Sequence, residues 1–124
     1  MQSTNTIGCS TCCLMDRALE EALGLISGRT GRTEILSDGP HCLFRCEEVC
    51  HSFDLRYTVH APVADINIAS ENEHLRRAAI KVLADLAEVC DRIGAERLVV
   101  HPGHIWGEEM RRAAQAALDR SLDD

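Results

Sequence analysis

At 124 residues, with 45% hydrophobic and 27% charged side chains, the chain is long enough for one modest globular domain with a buried core. No run approaches the roughly 18 apolar residues of a membrane span, and the stretch Met1 to Thr6 lacks the basic-then-apolar order of a signal peptide. The net charge of -7, with no basic arm or stripe, argues against a non-specific nucleic-acid binder, whose affinity rests on neutralising phosphates. A small phosphorylated substrate stays admissible, because it needs only a few local donors.

Residues 1–6 read as a loose, disordered terminus ahead of a single domain over 7–124. Ile7 to Cys12 is small and β-branched enough for a first strand. Asp16 is placed to cap a helix over about 17–28, with Leu19, Ala22, Leu23 and Ile26 on one face. A second strand over 33–37 ends in the turn signal Asp38-Gly39-Pro40. A short helix over about 43–52 and a third strand over 56–60 follow, then a loop to Ala69. Ser70 and Glu73 have the spacing of a capping box. Behind them Leu75, Ala79, Val82, Leu86, Val89, Cys90 and Ile93 repeat at helical steps until Gly94 stops the run. A fourth strand over 97–101 leads through a loop to a last helix over about 107–122, with Met110, Ala113, Ala114, Ala117 and Leu118 apolar.

The order is βα four times. Apolar strands each followed by a helix favour a parallel sheet covered on both faces. A closed (β/α)8 barrel takes about 250 residues, so four units make either half of such a barrel or a small open sheet. Two of the strands end alike, Val59-His60-Ala61-Pro62 and Val100-His101-Pro102-Gly103, each with a histidine before a proline turn. The carboxyl ends of parallel strands are where such folds bind ligands.

Those two turns, together with Gly8-Cys9-Ser10-Thr11, Asp65-Ile66-Asn67-Ile68-Ala69 and Gly94-Ala95, resemble the xylose isomerase-like barrel superfamily of sugar phosphate isomerases, epimerases and endonuclease IV-type enzymes. The resemblance runs from about residue 7 to the final helix. It implies the first, N-terminal half of a TIM barrel, a site at the carboxyl rim, and a small sugar or sugar phosphate as substrate. It also implies a divalent metal (Zn, Mn or Mg) whose principal carboxylate ligands lie on strands five to eight, which this sequence does not contain. The implied chemistry is metal-assisted proton transfer next to a carbonyl. The rival within the superfamily is metal-dependent phosphodiester cleavage at abasic DNA sites, and a third reading is a non-catalytic half-barrel that associates through its open strand edges.

His60 and His101 carry the site, as metal ligands or as substrate contacts; neutral imidazole suits both tasks. Two ligands fall short of the three that catalytic zinc usually has. Asp65 and Asn67 belong either to loop and cap chemistry or to a polar substrate rim near the helix start at Ser70, where free N–H groups attract phosphate. Trp106, beside His104, either covers substrate or packs on the barrel edge. Glu34, inside an apolar strand, supports the site from the barrel interior or pairs with a cation at the amino end. His41, His51 and His74 read as solvent-facing. Cys42, Cys46 and Cys50, spaced four apart, read as one packed helix face and not as an iron–sulfur motif, and Cys12 and Cys13 as core. With no secretion signal, reduced thiols and a cytoplasmic location are expected.

Overall fold

Alternation of burial along Arg32–Leu36 and Arg56–His60 marks the centre of a sheet, with Thr33, Ile35, Tyr57 and Val59 on one face and Arg32, Glu34, Thr58 and His60 on the other. A computed structural model, which describes residues 7–124, gives four parallel strands in the order β1 (Cys9–Ser10), β2 (Arg32–Leu36), β3 (Arg56–His60) and β4 (Leu98–Val99). The register runs Ser10, Glu34, Thr58 across the first three strands, and Leu36, His60, Val99 across the last three. The helices are α1 (Leu19–Ser27), α2 (Leu43–Cys46), α3 (Glu73–Ile93) and α4 (Arg111–Asp123). The fold is a parallel (β/α)4 half-barrel.

The core lies between the helices and one face of the sheet. Leu19 and Leu23 of α1, Ile35, Leu43, Tyr57, Val59, and Leu86, Val89 and Ile93 of α3 form one cluster. The opposite, concave face is not covered among the described residues: Arg32, Glu34, Arg56, Thr58 and Val99 line an open trough. This departs from the expectation of two covered faces, because a half-cylinder has helices only on its outside.

Several element ends differ from the sequence reading. Asp16 does not cap α1; the 3-10 turn Thr11–Leu14 delays the helix to Leu19, with Ala18 at a cap position that lacks a side-chain bond. The helix expected over 43–52 is broken at Cys46, whose backbone (φ −139°) starts a 3-10 stretch, Glu47–Ser52. Its three cysteines therefore do not share one helical face. The helix expected from 107 is a 3-10 turn, Glu108–Met110, before α4. Ser70 does not cap α3: Asn72 does, its Oδ1 accepting the N–H groups of His74 (3.1 Å) and Leu75 (3.4 Å). Glu73 turns instead to Arg76 and Arg77, at 2.7 and 3.0 Å. Gly94 does end α3, in the left-handed conformation at φ 70°. Leu75, assigned to the buried stripe, is 61% exposed, while Arg76 beside it is 2% exposed. Cys12 and Cys13 are exposed and not core. His41 is fully buried and not solvent-facing; its Nε2–H donates to the Arg17 carbonyl at 3.0 Å, and its Nδ1 has no partner among the described residues. The first six residues, read as a disordered terminus, lie outside the described residues.

Candidate active site at the carboxyl rim

β3 delivers His60 at its last position, on the concave side of the sheet. The Nδ1–H donates to the carbonyl of Ala61 at 2.8 Å, so Nδ1 carries a proton and Nε2 is the nitrogen left for a ligand. β4 runs beside β3, with Ala61 N–H bonded to the Val99 carbonyl at 2.8 Å, and brings up His101 two residues beyond its end. The two imidazole centroids are 4.8 Å apart at an interplanar angle of 64°. Side chains far apart in sequence thus form one pair, with His60 half-buried and His101 exposed.

Three polar links between successive rim loops hold this arrangement. His41 ties the loop after β2 to the loop after β1 through Arg17. Asp38 reaches from the loop after β2 to the loop after β3, its Oδ2 accepting the N–H groups of Val63 (2.8 Å) and Ala64 (3.3 Å). Asn67 joins the loops after β3 and β4. Its Nδ2 donates to the His104 carbonyl at 3.0 Å, and its Oδ1 accepts from the N–H groups of His104 (3.2 Å) and Ala69 (3.0 Å). Gly103, at φ 100°, lies so close against this junction that a Cβ there would stand 2.6 Å from the Ala69 Cβ. The turn His101-Pro102-Gly103-His104 is thereby pressed onto residues 67–69, which sets where His101 can point.

Beside His101, Pro62, Val63, Ile66 and Ile68 wall a depression of about 190 Å³ that Gly103 and His104 complete; His60 does not line it. A second, outer groove holds Asp65, Asn67, His104 and Trp106. Trp106 is 89% exposed and touches His104 edge-on at 6.2 Å between centroids. Glu34 is not with these groups. It sits one layer lower on the concave face, level with Thr58, and makes no ion pair among the described residues. The N–H groups at the start of α3 are taken up by Asn72, and Ser70 Oγ accepts from Asn72 N–H at 3.2 Å, so the phosphate-binding helix start expected near Ser70 is already capped.

Sequence reasoning passed over Asp38, His41 and Gly103 as rim-building residues. The Asp-Gly-Pro turn signal gave a local role to Asp38, but nothing in it reveals partners 25 residues away. Among the described residues no group of three or more histidine, cysteine or carboxylate side chains is placed to hold a metal ion.

Comparison with known proteins agrees with this architecture. The family model described as xylose isomerase-like TIM barrel matches residues 39–123. The uncharacterized protein MJ1614 of Methanocaldococcus jannaschii is 30% identical over 95% of this chain and 49% of its own length. MJ1311 of the same organism is 34% identical over 58% of this chain and 26% of its own. Among solved structures, a D-tagatose 3-epimerase-like protein superposes with a TM-score of 0.76 at 26% identity, over 94% of this chain and 45% of that one. A D-allulose 3-epimerase from Methylomonas sp. shares the fold, with a TM-score of 0.57 at 16% identity over 99% and 49%. The chain spans at most about half the length of the relatives it matches. It belongs to the xylose isomerase-like TIM barrel family.

Proposed function

We propose that this half-barrel contributes the histidine side of a sugar or sugar phosphate isomerase/epimerase site. The reading rests on the imidazole pair His60–His101 at the carboxyl rim of a parallel sheet. The likeness to a D-tagatose 3-epimerase-like protein supports the substrate class. The reaction is proton transfer at a carbon next to a carbonyl. His60 Nε2 and the His101 ring hold either substrate oxygens or a divalent ion. At 4.8 Å between centroids, the two rings stand close enough for one small bound group to be shared between them. A bound Zn, Mn or Mg ion would polarise the substrate oxygens. Two imidazoles leave that ion short of ligands, so the remaining ligands and the carboxylate base come from a second half. Asp65 and Trp106, in the neighbouring outer groove, form the outer edge of the substrate site, and Asn67 acts through the backbone it holds. Glu34 supports the barrel interior below. The compartment is the cytoplasm, in keeping with seven cysteines that are all free in the structure.

Calorimetric titration of the chain with Zn or Mn tests the pair directly. One ion is expected per chain, with affinity lost in both His60→Ala and His101→Ala. Equal binding in wild type and both variants would remove the metal reading. Chain combined with a second (β/α)4 half should then exchange a carbon-bound hydrogen of a ketohexose or its phosphate with deuterated water. Cleavage of an abasic-site duplex in its place would favour phosphodiester hydrolysis, which the charge of -7 disfavours. A second reading has its own observation. The concave face exposes Val99, Val100 is exposed just beyond β4, and β1 and β4 each leave one edge unpaired among the described residues, as expected of a half-barrel that associates with itself.

A further inference from the structure

Three of the seven cysteines lie on and just after β1, with Cys9 level with Thr33 and so below the histidine pair, outside the site described above. Cys9 is the first residue of β1 and Cys13 stands in the 3-10 turn that follows. Both thiols point at one atom: the Ser10 carbonyl oxygen is 3.2 Å from Cys13 Sγ and 3.6 Å from Cys9 Sγ. Sharing that acceptor keeps the two sulfurs on the same side of the Ser10 carbonyl, within reach of each other. Cys13 is exposed and Cys9 half-buried. Cys12, between them in sequence, is exposed too, but its sulfur makes no such contact among the described residues; only its N–H is used, by Ser10 Oγ at 3.2 Å.

We propose that Cys9 and Cys13 form a redox-active dithiol that closes to an intramolecular disulfide by exchange with a small-molecule disulfide. The exposed Cys13 thiolate attacks one sulfur of the small disulfide, forming a mixed disulfide and releasing one thiol. Cys9, as thiolate, then attacks the Cys13 sulfur, forming the internal S–S bond and releasing the second thiol. Cys9 and Cys13 together lose two protons and two electrons, and the S–S bond of the oxidant is reduced to two thiols. The direction of attack follows exposure, since Cys13 is the more open of the two to an incoming disulfide. Burial, and secondarily the neighbouring Cys13, raises the Cys9 thiol above its ordinary value, so the closing step speeds up as pH rises through the weakly alkaline range.

The surroundings keep the closure local. The Cys9 carbonyl accepts from Thr33 Oγ1 at 2.9 Å, and the fully buried Thr11 Oγ1 accepts from Leu36 N–H at 3.1 Å. Both anchors hold β1 and the first residue of the turn to β2. The movement therefore falls on residues 12–14, and through them on the segment that presents the Arg17 carbonyl to His41.

The test exposes the full chain to mixtures of reduced and oxidised glutathione, stops exchange with acid and alkylation, and sequences the amino-terminal peptide by fragment mass. A loss of about 2 Da with a Cys9–Cys13 link is expected. Cys12→Ser should close like wild type. Cys9→Ser should stop at a glutathione adduct on Cys13, and Cys13→Ser should leave the half-buried Cys9 unlinked, with about tenfold less adduct than Cys13 carries in Cys9→Ser. A link that includes Cys12, an adduct that never resolves in wild type, or no oxidation of the peptide would each overturn the proposal. The link is read directly in the wild-type chain and so does not depend on how the variants fold.

Discussion

At the scale of single residues, Gly103 shows how much one position constrains the rim. Its φ of 100° suits glycine, and the space where a Cβ would go is filled by Asn67 and Ala69. Gly103→Ala is expected to cost about 1–3 kcal/mol, read as a lowered urea midpoint. It should also displace His101, which the metal titration of the variant would show as weaker binding. Cysteine environments separate in the same direct way. Burial pushes the Cys50 thiol up to about 12 and raises Cys90 as well, while Cys12 and Cys13 are exposed. Iodoacetamide at neutral pH should therefore modify Cys12 and Cys13 in the native chain and reach Cys50 and Cys90 only after unfolding. Mass mapping of the labelled peptides checks this.

At the scale of elements, α3 joins the core to α4 in two ways. Its apolar stripe packs on the sheet through Leu86, Val89 and Ile93, and Leu86→Ala should cost about 2–5 kcal/mol in denaturant unfolding. Its other contact is polar. Arg76 is buried, with Nη1 donating to Ser121 Oγ at 3.1 Å and pairing with Asp124 at 2.7 Å, while Ser121 Oγ donates to the Ile68 carbonyl at 2.6 Å. The same guanidinium, with Arg77, holds the Glu73 carboxyl down at about 2 against an ordinary 4.5. A depressed carboxylate stabilises the fold fully above its unfolded pKa and loses that contribution as protons bind below it. Stability should therefore fall from about pH 4.5 towards pH 2, and Glu73→Gln should flatten that part of the curve. Urea midpoints measured across this range decide it; parallel curves would mean that Glu73 contributes nothing.

At the scale of the whole molecule, the half-barrel leaves an open trough whose layers hold Arg32, Arg56, Glu96, Glu34 and Arg97. Glu96 pairs with Arg56 and lies 3.9 Å from Arg32, whereas Glu34 and Arg97 make no ion pair among the described residues. Both line the trough with Thr58 and would be buried if a second half closed the cylinder as proposed. Light scattering of the isolated chain should give a mass above that of one copy. A second (β/α)4 half should convert it to a defined complex; a monodisperse single copy unchanged by the second half would contradict closure.

Much of this was legible without coordinates. The third strand, the extent of α3 and its Gly94 stop follow from local rules: alternation, helical period and the one residue that tolerates a left-handed end. The βα order and the repeated histidine-proline endings placed His60 and His101 at strand ends. Other features depend on partners distant in the chain. Asp38 finds Val63 and Ala64, His41 finds Arg17, and Arg76 finds Ser121 and Asp124, none of which any local pattern encodes. The choice of Asn72 over Ser70 as cap was equally hidden, because both residues have the right chemistry and only the path of the incoming chain selects one. Sequence by itself determined the parallel βα repeat, since periodicity and turn chemistry act between near neighbours. Tertiary structure alone decided how close the two imidazoles stand and which cysteines meet, because parallel pairing of strands far apart in sequence sets those distances.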